Sequence, residues 1–475
     1  MMQRRNFLQK SFQGAGAALA LSGSRLLGAN DAIRVAVVGL NGKGAQHIEL
    51  FRKTPGVQVA ALCDPDAALL RRESQKFKDR KETVAVYGDL RRLFESREVD
   101  AVIIATPNHW HCLAAIWACQ AGKDVYVEKP VSYCVREGRR LVEAARKYRR
   151  IVQAGTQRRS DPGVMAIDEY LQKGSLGKVL YMYGVCFNER RSIGKVDGPQ
   201  PVPPEVDYDL WCGPAPKGPL MRRSLHYDWH WVWPTGNGEI GNNGIHSIDL
   251  CRWLMHQKGL PPRVISLGGR FGYQDDGETP NSQIALLDYK PVPLLYEVRA
   301  LYRRAGEKVM DHYKGVRVGE AILCEGGTIA GDFAYDREGK KIRQFGRDEG
   351  AGHHLNFLKA LRSRNPADLN AEIEQGHLSA ALCHMANISF RLGKTGDLEE
   401  GKAAMSSLPA AAEAVQSFRE HLRLNDIRLE ATPATLGPWL TMDSEREQFT
   451  GPRAEEANRL LTREYRAPYI VPDRV

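Results

Sequence analysis

Four stretches of the chain carry residues whose types and spacing could hold a ligand or move a proton. The first is Gly39-Leu40-Asn41-Gly42-Lys43-Gly44, which follows a β-branched run at 33–38 and precedes a helical pattern at 45–51. Strand, glycine turn and helix together form a phosphate-binding device: Gly39 permits a tight turn, Gly44 a close helix contact, and the first helical N–H groups face an anion. Asn41 holds the middle position of the usual three-glycine pattern, with Gly42 displaced by one. A second apolar run, 57–63, ends at Asp64. A carboxylate there can accept both hydroxyls of a ribose and would repel a 2′-phosphate, so the expected cofactor is NAD and not NADP.

Two further strand-like runs end in polar residues. Residues 99–105 lead into Thr106-Pro107-Asn108-His109-Trp110-His111, and 124–127 into Glu128-Lys129-Pro130. In open parallel sheets ligands bind along that carboxyl edge. A run at 151–155 leads similarly into Thr156-Gln157-Arg158-Arg159. The fourth stretch, His226-Tyr227-Asp228-Trp229-His230-Trp231-Val232-Trp233, packs four aromatic and two histidine side chains into eight positions. Aromatic faces suit the C–H faces of sugars, and imidazoles suit hydroxyls, so Tyr227, Trp231 and Trp233 are expected in a carbohydrate wall, with Arg158 beside them. No third histidine or acid stands at metal-ligand spacing from His226 and His230, and no metal is expected.

These residues need a scaffold of two domains, and 475 residues suffice for it. The expected fold is an α/β Rossmann domain at 30–152, followed by an α+β domain at 153–437 with a large open, mostly antiparallel sheet, since alternating runs begin near residue 179. Residues 195–235, rich in Pro and Gly, read as one long functional loop. His377 and His384 share a face of a helix at 371–392 and are expected in a core or interface. The segment 438–475, polar and punctuated by proline, reads as an arm reaching a neighbouring subunit, which implies a homo-oligomer. The nine cysteines include no CxxC pair and are expected to be buried thiols.

Residues 1–29 carry Arg4-Arg5, then Phe7-Leu8 and a weakly apolar Gly/Ala stretch. They match a twin-arginine signal that exports a folded protein to the periplasm. The leader holds four of the ten net positive charges, leaving a mildly basic mature surface whose Lys and Arg are interleaved with acids. Nucleic acid is therefore not expected as a partner, nor is a membrane span in the mature protein.

The glycine turn, the T-P-N-x-x-H segment and the E-K-P tripeptide, in this order and spacing, resemble the Gfo/Idh/MocA oxidoreductases. The likeness implies a cofactor site built from Gly39, Asn41, Gly42, Gly44, Asp64, Thr106, Asn108, His111, Glu128 and Gln157, with Lys129 reaching nicotinamide and the reacting carbinol. The segment Gly236 to Asp249 is similar to the family's G-G-G-x-L-x-D-x-G-x-H-x-x-D, which implies substrate-facing roles for positions 242 and 246. His246 keeps the histidine, but Asn242 replaces the aspartate, so proton transfer falls on Lys129 and His246. Three functions fit: an NAD-dependent oxidoreductase on a sugar or glycoside, with NAD held and recycled internally; a redox-neutral glycosidase or epimerase of the same superfamily; or a non-catalytic sugar and NAD binder. Export favours recycling, because no pool of free nicotinamide nucleotide lies outside the cytoplasm.

Overall fold

The run Ile33–Val38 supplies apolar side chains to both faces of a sheet, and both faces are covered. In the computed structural model, which describes residues 32–475, Val35 and Val37 pack with Ile48, Phe51 and Phe357, whereas Ala36 and Val38 pack with Leu113 and Ile116. This two-sided burial is what a parallel sheet requires. The strands are β1 (Ile33–Val38), β2 (Val57–Cys63), β3 (Ala85–Tyr87), β4 (Ala101–Ile104), β5 (Asp124–Val127) and β6 (Val152–Ala154), in the order β3-β2-β1-β4-β5-β6, all parallel. The order reverses at β1 and β4, which opens a crevice at their carboxyl ends. The expected twin-arginine leader, residues 1–29, lies outside the described residues.

The division expected at 152/153 falls inside β6, and the Rossmann layer is completed by later residues. Helix His353–Ser363 returns to cover the first sheet, with Phe357, Leu358 and Leu361 in its core. Sequence pattern alone gives no sign of this, because a helix's apolar stripe does not name its partner.

The second sheet has twelve strands: β7 (Val179–Phe187), β8 (Arg263–Gly269), β9 (Ser282–Leu287), β10 (Leu294–Arg299), β11 (Val318–Cys324), β12 (Gly327–Ala330), β13 (Phe333–Asp336), β14 (Lys341–Gln344), β15 (Lys394–Gly396), β16 (Ala434–Leu436), β17 (Leu440–Asp443) and β18 (Gln448–Thr450). Every pairing is antiparallel except β7 with β10. One face holds helices Ile245–Leu254 and Ile373–Arg391 between the sheet and the Rossmann domain, and Pro409–Leu424 covers part of the other. His377 and His384 are buried in the central helix, where His377 Nε2 meets Glu447 at 2.9 Å. All nine cysteines are buried and unpaired. Among the described residues no helix is long and apolar enough to cross a membrane.

The segment expected to reach a neighbouring subunit packs on its own chain. After helix Ala454–Arg459, Leu461 O accepts from Arg136 N at 2.9 Å, and Tyr469, almost fully buried, meets Trp110 and Trp117 of helix Asn108–Gln120. Its phenol and aromatic edges supply the apolar surface that a polar composition hides.

Candidate active site

The glycine turn is built for close backbone approach. Gly39 has φ 84°, and a Cβ there would stand 2.7 Å from the Ala105 backbone; one on Gly44 would stand 1.7 Å from the Gly39 carbonyl oxygen. Gly42, at φ 46°, opens helix Lys43–Arg52 with no side chain capping its first N–H groups. Those donors face a cavity of about 390 Å³, a size common for cofactor and ligand sites.

Asp64 lines this cavity and is buried. One carboxylate oxygen accepts from Leu40 N at 2.7 Å and the other from Asp66 N at 2.9 Å, which aims the group and leaves a lone pair on each. Burial pushes its pKa up to about 6 against these hydrogen bonds. The Thr106 hydroxyl, also in the lining, is buried without a partner among the described residues. Aimed carboxylate, open helix N-terminus and unpartnered hydroxyl together fit a dinucleotide's ribose and phosphates.

The lining also contains Asn41, Asn108, His111, Glu128 and Gln157. His111 stands between the carbonyls of Pro130 (Nδ1, 2.6 Å) and Thr106 (Nε2, 2.7 Å) at the ends of β5 and β4, and its single N–H donates to one of them. Asn108 donates to Asn237 Oδ1 at 3.1 Å across the domain boundary. Glu128 Oε1 meets His47 Nε2 at 2.8 Å. Burial pushes this carboxyl upward, but His47, Lys43 and Lys129 outweigh burial and hold it ionised, well below the usual range.

At the other end of the cavity stand Lys129, Asn242 and His246. Residues Ile240–Gly244 form a π-helical turn ahead of helix Ile245–Leu254, not the continuous α-helix that the D-x-G-x-H spacing implies. A π turn leaves main-chain groups free of the usual ladder. Lys129 Nζ donates to the Asn242 main-chain oxygen at 2.6 Å. Burial lowers the Lys129 pKa, opposed by the nearby Glu128 and Glu239 carboxylates. Burial, with Lys129 adding to it, lowers the His246 pKa to about 3, so its ring is neutral, and its Nδ1 is buried with no partner among the described residues.

The aromatic stretch divides differently from expectation. Tyr227 reaches the cavity, and so do Trp229 and His230, whose rings stack at 3.6 Å. Trp231 and Trp233, expected in the sugar wall, do not line it: Trp231 is buried beneath Arg190, and Arg391 lies over Trp233. The turn Asp228–Trp231 is a 3-10 helix, so alternate side chains do not share a face. Arg158 is likewise outside the lining; its guanidinium pairs with Glu320 of β11 at 3.1 Å.

Sequence reasoning missed the roof. The excursion between β7 and the π turn lies across the Rossmann domain: Ala67 N donates to Glu205 O (3.0 Å), Asp207 N to Pro65 O (2.9 Å), and His226 Nε2 meets Asp66 at 3.0 Å. Trp110 Nε1 donates to Leu210 O at 3.0 Å. Leu210, Trp211 and His226 thereby join the lining opposite Asp64 and Leu69. Arg466 and Tyr469 hold Asp209 from outside, at 2.7 and 3.1 Å. The proline and glycine content of 195–235 marked a loop; its contact with the first domain had no local signal.

Residues 33–156 match the model described as the oxidoreductase family with an NAD-binding Rossmann fold, and 186–278 match that family's C-terminal alpha/beta domain. The chain thus carries both domains of the Gfo/Idh/MocA oxidoreductases, the first of them NAD-binding. An uncharacterized oxidoreductase of Streptococcus pneumoniae is 28% identical over 54% of this chain and 62% of its own length. The inositol 2-dehydrogenase/D-chiro-inositol 3-dehydrogenase of Shouchella clausii is 32% identical over 49% of this chain and 56% of its own. The match thus spans little more than half of these relatives. The WlbA dehydrogenase of Bordetella pertussis, solved with NADH and UDP-GlcNAcA, shares the fold at TM-score 0.55 and 18% identity, over 75% of this chain and 96% of that one.

Proposed function

We propose that this protein is an exported oxidoreductase that acts on a sugar or glycoside with an NAD it holds and recycles. The observation that carries this reading is one cavity lined at one end by the glycine turn and Asp64, at the other by Lys129, Asn242 and His246, and roofed by the chain's own 205–230 segment. A bound nicotinamide supplies a hydride acceptor there. Lys129, half-buried and with its pKa lowered by burial, exchanges the proton of a substrate hydroxyl, and its bond to the Asn242 carbonyl fixes where its nitrogen stands. Neutral His246 offers a ring nitrogen to a neighbouring hydroxyl. Asn242 cannot take up a proton and orients only. The inositol and nucleotide-sugar names among similar proteins support a polyol or sugar as substrate class.

The roof favours retention, since release of a dinucleotide requires the Asp66–His226 and main-chain contacts to open. Retention favours turnover in which a hydride taken from one carbinol is returned to a carbon, as in epimerisation or elimination of a glycoside. Purified protein is to be denatured and its nucleotide identified by chromatography, and native protein assayed on a glycoside and polyol panel without added NAD. Turnover without added NAD is expected. Steady conversion of added NAD to NADH on a single sugar would replace this reading with a plain dehydrogenase.

A further inference from the structure

Position 242 does not work alone. Glu239, one turn earlier and almost fully buried, accepts from Arg190 Nε at 2.9 Å and Arg190 Nη2 at 2.7 Å, a two-point clamp that fixes the carboxylate. Its Oε2 also accepts from Asn242 Nδ2 at 3.2 Å. With Nδ2 turned back to Glu239, the amide's Oδ1 points the opposite way, accepts no hydrogen bond from the described residues, and belongs to a side chain that lines the cavity.

We propose that Glu239 is a positioning residue: clamped by Arg190, it holds the Asn242 amide in one orientation so that position 242 presents its neutral Oδ1 acceptor to a ligand hydroxyl. The proposal deepens the reading of the cavity as a sugar or polyol site and rests on it. It also explains why an aspartate would be misplaced here. A carboxylate at 242 would face a second one at hydrogen-bond distance, where like charges oppose ionisation. The other groups near Glu239 are Arg190, Lys129, Cys186, Tyr296 and Tyr227, of which Arg190 and Lys129 are the cations.

The first test uses the protein alone. Asn242→Asp is made in the wild-type and the Glu239→Gln backgrounds; Gln keeps one acceptor for Arg190, and circular dichroism checks that the background is folded before the comparison. Thermal midpoints are read from pH 5 to pH 8. With Glu239 present, the introduced acid holds its proton to higher pH than in the unfolded chain, so the deficit caused by Asn242→Asp grows as pH rises, by about 3 °C or more. In the Glu239→Gln background that pH-dependent part vanishes. Equal pH dependence in both backgrounds overturns the proposal, whatever the substrate proves to be. The second test uses whichever methyl glycoside or inositol turns over in the panel. Glu239→Gln and Asn242→Ala should each raise KM about tenfold with a smaller change in kcat, and the double variant should lose no more than either one; losses that simply add overturn the coupling.

Discussion

Lys129 and Asn242 sit in different domains, 113 residues apart, yet the lysine's side-chain nitrogen lies 2.6 Å from the asparagine's main-chain oxygen. The contact pins the end of β5 to the π turn and sets the distance between the cofactor half of the cavity and the substrate half.

Loss of the lysine should therefore remove chemistry and spare binding. Lys129→Ala is expected to lower turnover by about 10² to 10⁴, the usual contribution of a positioned acid or base, with bound nucleotide unchanged by chromatography. His246→Ala should lose activity on the same scale. Because burial lowers the Lys129 pKa, wild-type kcat/KM should rise with pH along a limb lying below the ordinary lysine range, and Lys129→Ala should lack that limb.

Asp64 gives a pH prediction with a definite sign. Its folded-state pKa, about 6, is above the unfolded value, so the folded protein keeps this proton longer and the stability contributed by Asp64 falls as pH rises from about 4 through 6. Nucleotide binding runs the other way, because the ionised carboxylate is the better acceptor for ribose hydroxyls. Retained NAD should decline as pH drops below about 6 in a dialysis series, and Asp64→Asn should abolish that decline. Asp64→Ala should weaken NAD more than NADP; an unchanged preference would exclude Asp64 from the ribose site.

The roof predicts slow release. His226→Ala, which removes the contact to Asp66, and Arg466→Ala, which loosens Asp209, should each speed loss of NAD from native protein, by about tenfold if each contact contributes near 1.4 kcal/mol. Dilution, rapid filtration and chromatography of the nucleotide that stays with the protein measure it. Release at the wild-type rate in both variants would mean that the roof does not gate the cavity.

Export should depend on the arginine pair. The doubly substituted leader, Arg4→Lys with Arg5→Lys, should leave folded, nucleotide-loaded protein in the cytoplasm, measured by fractionation and immunoblotting. Periplasmic arrival of that variant would mean another route.

The Rossmann strands, the glycine turn and the polar strand ends were legible because each is written in contiguous residues whose backbone demands are local. Gly39 and Gly44 announce their close contacts by type alone. What escaped was whatever depends on distant partners. Trp231 and Trp233 read like Trp229, but Trp231 ends a 3-10 turn beneath Arg190, and Trp233, beyond that turn, lies against Arg391. Glu239 stands where the family pattern leaves its residue unspecified, and only Arg190, 49 residues away, shows its use. Tyr469 reads as part of a polar arm, and only its contact with Trp110 shows what it covers.

The docking of residues 461–471 on the first domain sets an order of events during synthesis. Strands β1 to β6 leave the ribosome early, but helix His353–Ser363, which seals one face, and Tyr469, which seals another, emerge far later. The nucleotide crevice and the roof contacts made by residues up to 226 can form while the chain is still growing, and only the outer hold on Asp209 waits until translation has passed Tyr469. The last hold on the roof is thus added at the close of synthesis, after the crevice beneath it has formed.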